Sequence, residues 1–343
     1  MKIHTYSWLI WLLAGLIIVT TTRNPLILLF MLLLLILFQI LVSKESFQSL
    51  SGLFRFMLSL IGLTTLLNMI TSHYGETILF SLPASIPLIG GNYTLESLVY
   101  GFTNGLILMN IFIMFTILNK VVSVNSLVRI IPQAFHPIAV VTMIALTFIP
   151  ASRKQFHAIR EAQAIRGQEV KKLRDWLPLI IPLLIGGLER AMQIAEAMTA
   201  RGFSSQSDHK PTNLEKWLLP LALLFIFSGW MMDFLDKAPF SGLLLVIPGF
   251  GLLMLLFILS GKRMGKTSFY RQNWTGAALL ITFAAAILIL VFLTPVQGHQ
   301  SLLYEPYPRF RFPDLSILHI LAVSLLMLPL LFIREVVAHD QHS

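Results

Sequence analysis

The sequence contains no cysteine. Disulfides, thiolate metal sites and cysteine nucleophiles are therefore excluded. Charge is scarce as well. Asp, Glu, Lys and Arg together make up 12% of the 343 residues, where a soluble domain carries roughly 25%. Too few polar side chains remain to cover a water-facing globule of this length, which excludes an ordinary soluble enzyme, a disordered chain and a nucleic-acid-binding domain. Two local absences add to this. The segment 71–95 has no Lys or Arg, and no Asp or Glu interrupts the middle of any long apolar run. A membrane enzyme or ion-coupled carrier acting alone places such groups inside its spans, so their absence counts against both.

What is present is apolar. Hydrophobic residues make up 56% and the mean hydropathy is +0.79. Apolar runs lie near 7–22, 26–42, 53–70, 96–119, 136–150, 214–232, 241–260, 275–294 and 316–333. A spanning helix takes about 20 residues, and none of these runs alternates as a membrane strand does. The expected fold class is all-α, a polytopic helical membrane protein. Met1–Thr22 resembles a signal peptide but lacks a small-x-small cleavage site, so it is read as a retained first span.

The net charge of +9 is placed unevenly. Seven Lys and Arg residues fall in 152–176 and four in 261–274, against none in 71–95. The positive-inside bias puts the two basic segments and both termini in the cytoplasm and 71–95 outside. The segment 295–315, with Arg309 and Arg311, then lies outside as an exception. The bilayer, and no nucleic acid, is the expected partner of this charge. Parity, with 120–135 and 152–176 both inside, excludes 136–150 as a full crossing, and the run is also short and bracketed by Pro132, Pro137 and Pro150. The run 177–188 is broken by Pro178 and Pro182. About eight crossings remain. The expected division is 1–120, N-terminal spans with an ordered outer segment at 71–95; 121–213, a cytoplasmic-side module of amphipathic helices; and 214–343, C-terminal spans. The outer segment reads as a hairpin-like cap, although its prolines weaken a β-hairpin.

Inside the basic module the chain repeats itself. Glu161-Ala-Gln-Ala-Ile-Arg166-Gly167 and Glu196-Ala-Met-Thr-Ala-Arg201-Gly202 both read Glu-Ala-x-x-x-Arg-Gly, offset by 35 residues (201 − 166). Each Gly suits a helix C-terminal cap with positive φ, and each Arg suits the negative end of the helix dipole. Glu and Arg five apart do not face each other on a helix, where pairs form at i,i+3 or i,i+4. Both Arg residues are thus free to point elsewhere. Two Arg forks beside small residues fit docking into two equivalent acidic grooves. Two capped helices that end alike by chance remain the plain alternative.

The paired Arg-Gly motifs in a basic module between spans resemble the transmembrane T component (EcfT/CbiQ type) of energy-coupling-factor ABC transporters. The resemblance includes Thr147-Phe-Ile-Pro150 before the first motif helix and Leu177-Pro178 and Pro182 between the motifs. It implies a non-enzymatic subunit of the cell membrane that docks two ABC-type ATPase subunits and passes their motion to a membrane S component for vitamin or cobalt uptake. Arg166 and Arg201 then dock the ATPases, with Gly167, Ala200 and Gly202 at the motif's small positions. Ile165 departs from it, because the first motif reads Ile-Arg-Gly where the second reads Ala-Arg-Gly. A stand-alone carrier, or a scaffold with basic lipid-facing loops, is the alternative; it does not account for the repeat.

Other features are weaker. Gly101 and Gly105 form a GxxxG pair suited to close helix packing. Asn68, Asn104 and Asn110 are expected to hydrogen-bond between helices, and Arg55 to snorkel to the interface. Gly261–Thr267 resembles a P-loop but has three residues between its glycines instead of four and follows an apolar helix. The nine His residues form no metal-ligand spacing, so neither a metal nor a cofactor is expected.

Overall fold

In the computed structural model the described residues are 3–42, 47–83, 90–131, 135–167, 176–202, 213–235, 242–263, 274–294 and 298–332. The helices are α1 (Thr5–Thr21), α2 (Pro25–Val42), α3 (Phe47–Thr71), α4 (Leu95–Val121), the short α5 (Val124–Val128), α6 (His136–Ile165), α7 (Leu177–Ala200), α8 (Asn213–Leu235), α9 (Leu243–Arg263), α10 (Gly276–Leu293) and α11 (Ile317–Ser324). A hairpin of β1 (Ile78–Leu82) and β2 (Gly91–Thr94) interrupts the helical pattern. Its strands pair antiparallel, with Leu82 opposite Gly91 and Ile78 opposite Thr94. Pro83 stands just past the end of β1, outside the ladder, which is why it does not prevent pairing.

Seven described helices are long and apolar enough to cross a membrane by length and composition, among them α2, α3, α4, α8 and α10. The other two are α6 and α7, and here the prolines were misread. Pro137 and Pro178 sit in the first turn of their helices, where no intrahelical N–H is lost. Pro150 and Pro182 lie inside the helices without ending them. An interior proline removes one hydrogen bond of the ladder, and the bonds on either side carry the helix through. The apolar runs near 136–150 and 177–188 thus continue as helices of 30 and 24 residues.

The chain divides into two compact units, 1–124 with 271–343, and 125–270. This grouping cuts across the linear division at residue 214. Of the three late apolar runs, the last two return to the N-terminal bundle as α10 and α11, while α9 pairs with α8 in the other unit; only α10 of the three is among the seven helices above.

The first unit is built around α1, α2 and α4. Trp8, Trp11 and Phe38 form a buried aromatic cluster with ring centroids 5.6–6.4 Å apart. The Asn110 amide, fully buried in α4, donates to the carbonyl of Leu28 in α2 at 3.1 Å and to its own helix at Leu106. Gly101 and Gly105 belong to α4 and face α3. A Cβ on Gly101 would stand 2.8 Å from Thr65 Cα, and one on Gly105 would stand 3.0 Å from Ile61 Cα. The two helices approach so closely because neither glycine carries a side chain. Asn68 bonds within its own helix, to the carbonyl of Thr64, and not across helices.

The C-terminal part is stitched to this bundle by polar contacts. The Trp11 indole donates to the Leu326 carbonyl at 3.0 Å, and the Ser7 hydroxyl to that of Ala278 at 3.1 Å. Buried Asn24 caps α2 through the N–H of Leu26 and donates to the carbonyls of Ser301 and Asp314, at 2.8 and 2.7 Å. Glu96, in the first turn of α4, accepts from the Thr77 hydroxyl at 2.7 Å and from the Phe310 N–H at 3.1 Å. The segments 71–95 and 298–315 therefore meet on one side of the bundle. There the Tyr304 phenol donates to the Arg311 carbonyl. Burial, and then the Glu96 carboxylate, push its pKa up, so the proton stays in that bond.

Candidate functional site

The two Glu-Ala-x-x-x-Arg-Gly segments are the ends of α6 and α7. Helix α6 runs through Ile165, and Arg166 closes it at φ −79°, ψ 7°. Helix α7 runs through Ala200, and Arg201 closes it at φ −86°, ψ 7°. Gly167 and Gly202 follow at φ +79° and +75°, a region L side chains other than Asn rarely enter. Their N–H groups turn back onto the Ala164 and Thr199 carbonyls, at 3.0 and 2.9 Å. Nothing lies within 4 Å of a Cβ built on either glycine. Backbone conformation, not crowding, is what asks for glycine at both ends.

Both ends are open. Ile165 is 88% exposed, and Arg166, Gly167, Ala200, Arg201 and Gly202 are all exposed. The two tips share one backbone geometry and differ at the residue before Arg: a bulky apolar side chain at 165 and a methyl group at 200.

The packing of α6 on α7 sets their separation. The Gln163 amide, near the end of α6, donates to the carbonyl of Pro178 at the start of α7. Phe156 stacks on Trp176. Further back along α6, Gln155 fits against Gly186 and Phe148 against Gly187. The helices thus run antiparallel where they touch, and the Arg166 end sits at the N-terminal end of α7. Arg201 closes the other end of α7, whose 24 residues span roughly 36 Å. The two tips therefore stand on the order of 30 Å apart, too far to form one composite site.

The contacts of Gln155 and Gln163 were not singled out from the sequence. The readable signal was the pair Gly186-Gly187 inside a helix, since adjacent glycines in a helical stretch cost helix stability and often mark a close approach. Gly101 and Gly105 lie in the other unit, at the α3–α4 contact described above. Among the described residues no group of three or more His, Asp or Glu side chains gathers to hold a metal ion. The P-loop-like segment falls largely outside the described residues, with α9 continuing through Arg263.

Comparison with known proteins agrees on one family. A family model described as cobalt transport protein, CbiQ, matches residues 3–212. A protein of Exiguobacterium sibiricum named energy-coupling factor transporter transmembrane protein EcfT is 30% identical over 116 residues, 31% of this chain and 44% of the relative. A protein of the same name from Leuconostoc gelidum is 35% identical over 94 residues, 26% of this chain and 35% of the relative. A third, EcfT 1 of Listeria monocytogenes, is 26% identical over 160 residues, 41% of this chain and 59% of the relative. Each match spans less than two thirds of the relative's length.

Proposed function

The chain belongs to the CbiQ cobalt-transport family as a multi-pass membrane protein, and from that premise we propose that it is the energy-coupling transmembrane subunit of an ECF-type importer. In this reading it docks two ABC-type ATPase subunits from the cytoplasm and transmits their motion to a substrate-binding S component in the membrane, for vitamin or metal-ion uptake. Both termini and the α6–α7 pair face the cytoplasm, and ATP hydrolysis belongs to the partner chains.

The observation that carries the reading is the pair of exposed, matching Arg-Gly ends about 30 Å apart. One end per ATPase subunit accounts for both the repetition and the spacing. Arg166 and Arg201 each offer a planar guanidinium fork to a carboxylate in the partner's groove. Gly167, Ala200 and Gly202 keep the tip slim enough for the helix end to enter. When the ATPase pair closes on ATP, the two tips are drawn together. The antiparallel contact at Gln155–Gly186 and Phe148–Gly187 lets α6 and α7 pivot as a pair of levers. Their exposed apolar faces, with Ile180, Leu184, Ile185 and Leu188 on α7, then move against the S component or the surrounding lipid.

The test is charge reversal at both tips. Arg166→Glu with Arg201→Glu should reduce co-purification of the ATPase subunits at least about 100-fold, since each end then meets a carboxylate with a carboxylate. Membrane insertion and the melting temperature of the chain should not change, because both side chains are exposed. Recovery of the ATPases at the wild-type level would overturn the docking assignment.

A further inference from the structure

Helices α2 and α3 both pack on α4 and hardly on each other. The gap left between them is a cavity of about 330 Å³, within the roughly 300–1,000 Å³ of small-molecule sites. Its wall is mostly apolar. Ile36 comes from α2, Leu53 and Met57 from α3, and fully buried Ile113 from α4. Three polar side chains break that wall: Gln39 from α2, and Ser51 and Arg55 from α3. Gln39 is 2% exposed, yet neither its amide oxygen nor its amide nitrogen has a hydrogen-bond partner. A buried polar group left unpaired is costly, and in a native fold it asks for a reason. Arg55 is exposed and makes no hydrogen bond or ion pair among the described residues. Both side chains sit toward the same end of the bundle. Gln39 is three residues before the end of α2 at Val42, and Arg55 is eight residues past the start of α3 at Phe47. These are roughly 5 and 12 Å along their helices. The 18 residues of α2 reach about 27 Å, so its end lies where a hydrocarbon layer of about 30 Å gives way to headgroups.

The wall, the orphaned amide and the free guanidinium each restrict the occupant. Water is a poor one, because it needs two to four polar partners and most of this wall offers none. A free anion would satisfy Arg55 and leave the apolar wall bare. A molecule with an acyl chain and a phosphate satisfies all three parts. The chain covers Ile36, Leu53, Met57 and Ile113. The phosphate meets the Arg55 fork, and the Gln39 NH2 donates to an ester or phosphate oxygen. The Gln39 amide oxygen still needs a donor, which a hydroxyl on the headgroup supplies. The geometry points to a binding site for one anionic phospholipid with a glycerol-type headgroup, seated between α2 and α3 with its chain in the cavity. Such a lipid also gives α3 a second neighbour. That helix packs mainly on α4, and only 6% of its apolar window is buried inside the protein. The site is built within the first unit and does not depend on what docks at the ends of α6 and α7.

The experiment uses the full-length chain, purified in detergent and stripped of lipid. Native mass spectrometry and thermal unfolding follow the addition of three probes: phosphatidylglycerol, phosphatidylcholine with the same chains, and inorganic phosphate. The wild-type chain should retain one phosphatidylglycerol about 5-fold more tightly than phosphatidylcholine. It should melt roughly 2–4 °C higher with phosphatidylglycerol and not respond to inorganic phosphate. Arg55→Gln should bring the two phospholipids to within about 2-fold of each other. Gln39→Leu should act with opposite sign in the two states. Stripped of lipid it should melt above the wild type, because the orphaned amide is gone. With phosphatidylglycerol it should gain less than about half of the wild-type shift. A lower melting temperature for stripped Gln39→Leu would show that the amide is satisfied inside the protein, which overturns the site. An equal response to both phospholipids, or a response to inorganic phosphate alone, overturns the assignment to an anionic lipid.

Discussion

The bundle helices and the paired motif helices are made of similar material and end up differently. Of the apolar windows in α2 and α4, 44% and 56% of residues are buried inside the protein, against 6% in α6 and in α7. The first pair therefore finds its neighbours within the chain: α1, α3 and the returning α11. Among the described residues the second pair touches itself along one narrow line and leaves most of its surface exposed. Qualifying as a span does not separate these two uses, since both pairs pass by length and composition. What separates them is the company each side chain keeps. In a membrane, where apolar transfer gives helices little reason to associate, packing and hydrogen bonds hold a bundle together. The bundle has both, in the Trp8–Trp11–Phe38 cluster and in the Asn110 and Trp11 bonds.

The largest effect that would break this contrast comes from cutting one large side chain in each region. Trp11 is 2% exposed and donates to Leu326. Trp11→Ala should cost about 3–5 kcal/mol, from the cavity and the orphaned carbonyl together. Leu184 is 65% exposed, and Leu184→Ala should cost below about 0.5 kcal/mol. Thermal unfolding of the detergent-purified chain without partners measures both. A comparable loss at Leu184 would mean that α7 is held by the chain itself, and the contrast would fail.

How much of this could be read in advance differs between the two regions for a physical reason. The helical class and the two motif ends were legible because capping is local. An Arg-Gly after an apolar helix asks for a positive φ at the glycine within a few residues, and Gly167 and Gly202 have it. The return of α10 and α11 to the bundle was not legible. It rests on contacts such as Trp11 to Leu326 and Asn24 to Ser301, between residues about 300 apart, which leave no periodic trace. The separation of the tips, on the order of 30 Å, was hidden for the same reason, since it depends on how α6 lies on α7. The prolines misled because a rule about breakage does not distinguish the first turn from the interior. Only the helix boundaries show that Pro137 and Pro178 fall in the first turn.

A smaller effect tests whether the C-terminal segment belongs to the bundle as firmly as its hydrogen bonds suggest. Asn24 is fully buried and holds Ser301 and Asp314 as well as the start of α2. Asn24→Ala leaves two carbonyls and one N–H without these partners, at about 1–3 kcal/mol in all after relaxation. Amide exchange in 298–315 should rise about 10-fold or more, while exchange in α6 and α7 stays as it was. Unchanged protection in 298–315 would show that apolar packing alone holds the segment, and the polar stitching would lose its role.

The smallest effect separates two reasons for being glycine, one from each region. Gly105 has an ordinary helical backbone and is crowded, with Thr64 Oγ1 2.6 Å and Ile61 Cα 3.0 Å from a Cβ built there. Gly167 is uncrowded and has φ +79°. Alanine should harm both, at about 1–3 kcal/mol for Gly105 through forced separation of α3 and α4 and about 1 kcal/mol for Gly167 through the left-handed backbone. Asparagine tells them apart. It tolerates the left-handed region, so Gly167→Asn should recover most of the stability lost in Gly167→Ala. At Gly105 the larger side chain only adds to the clash, so Gly105→Asn should melt below Gly105→Ala. The four melting curves decide the matter together. If Asn rescues neither position, the Gly167 cap is constrained by something other than its φ; if it rescues both, the close approach of α3 and α4 is not what Gly105 serves.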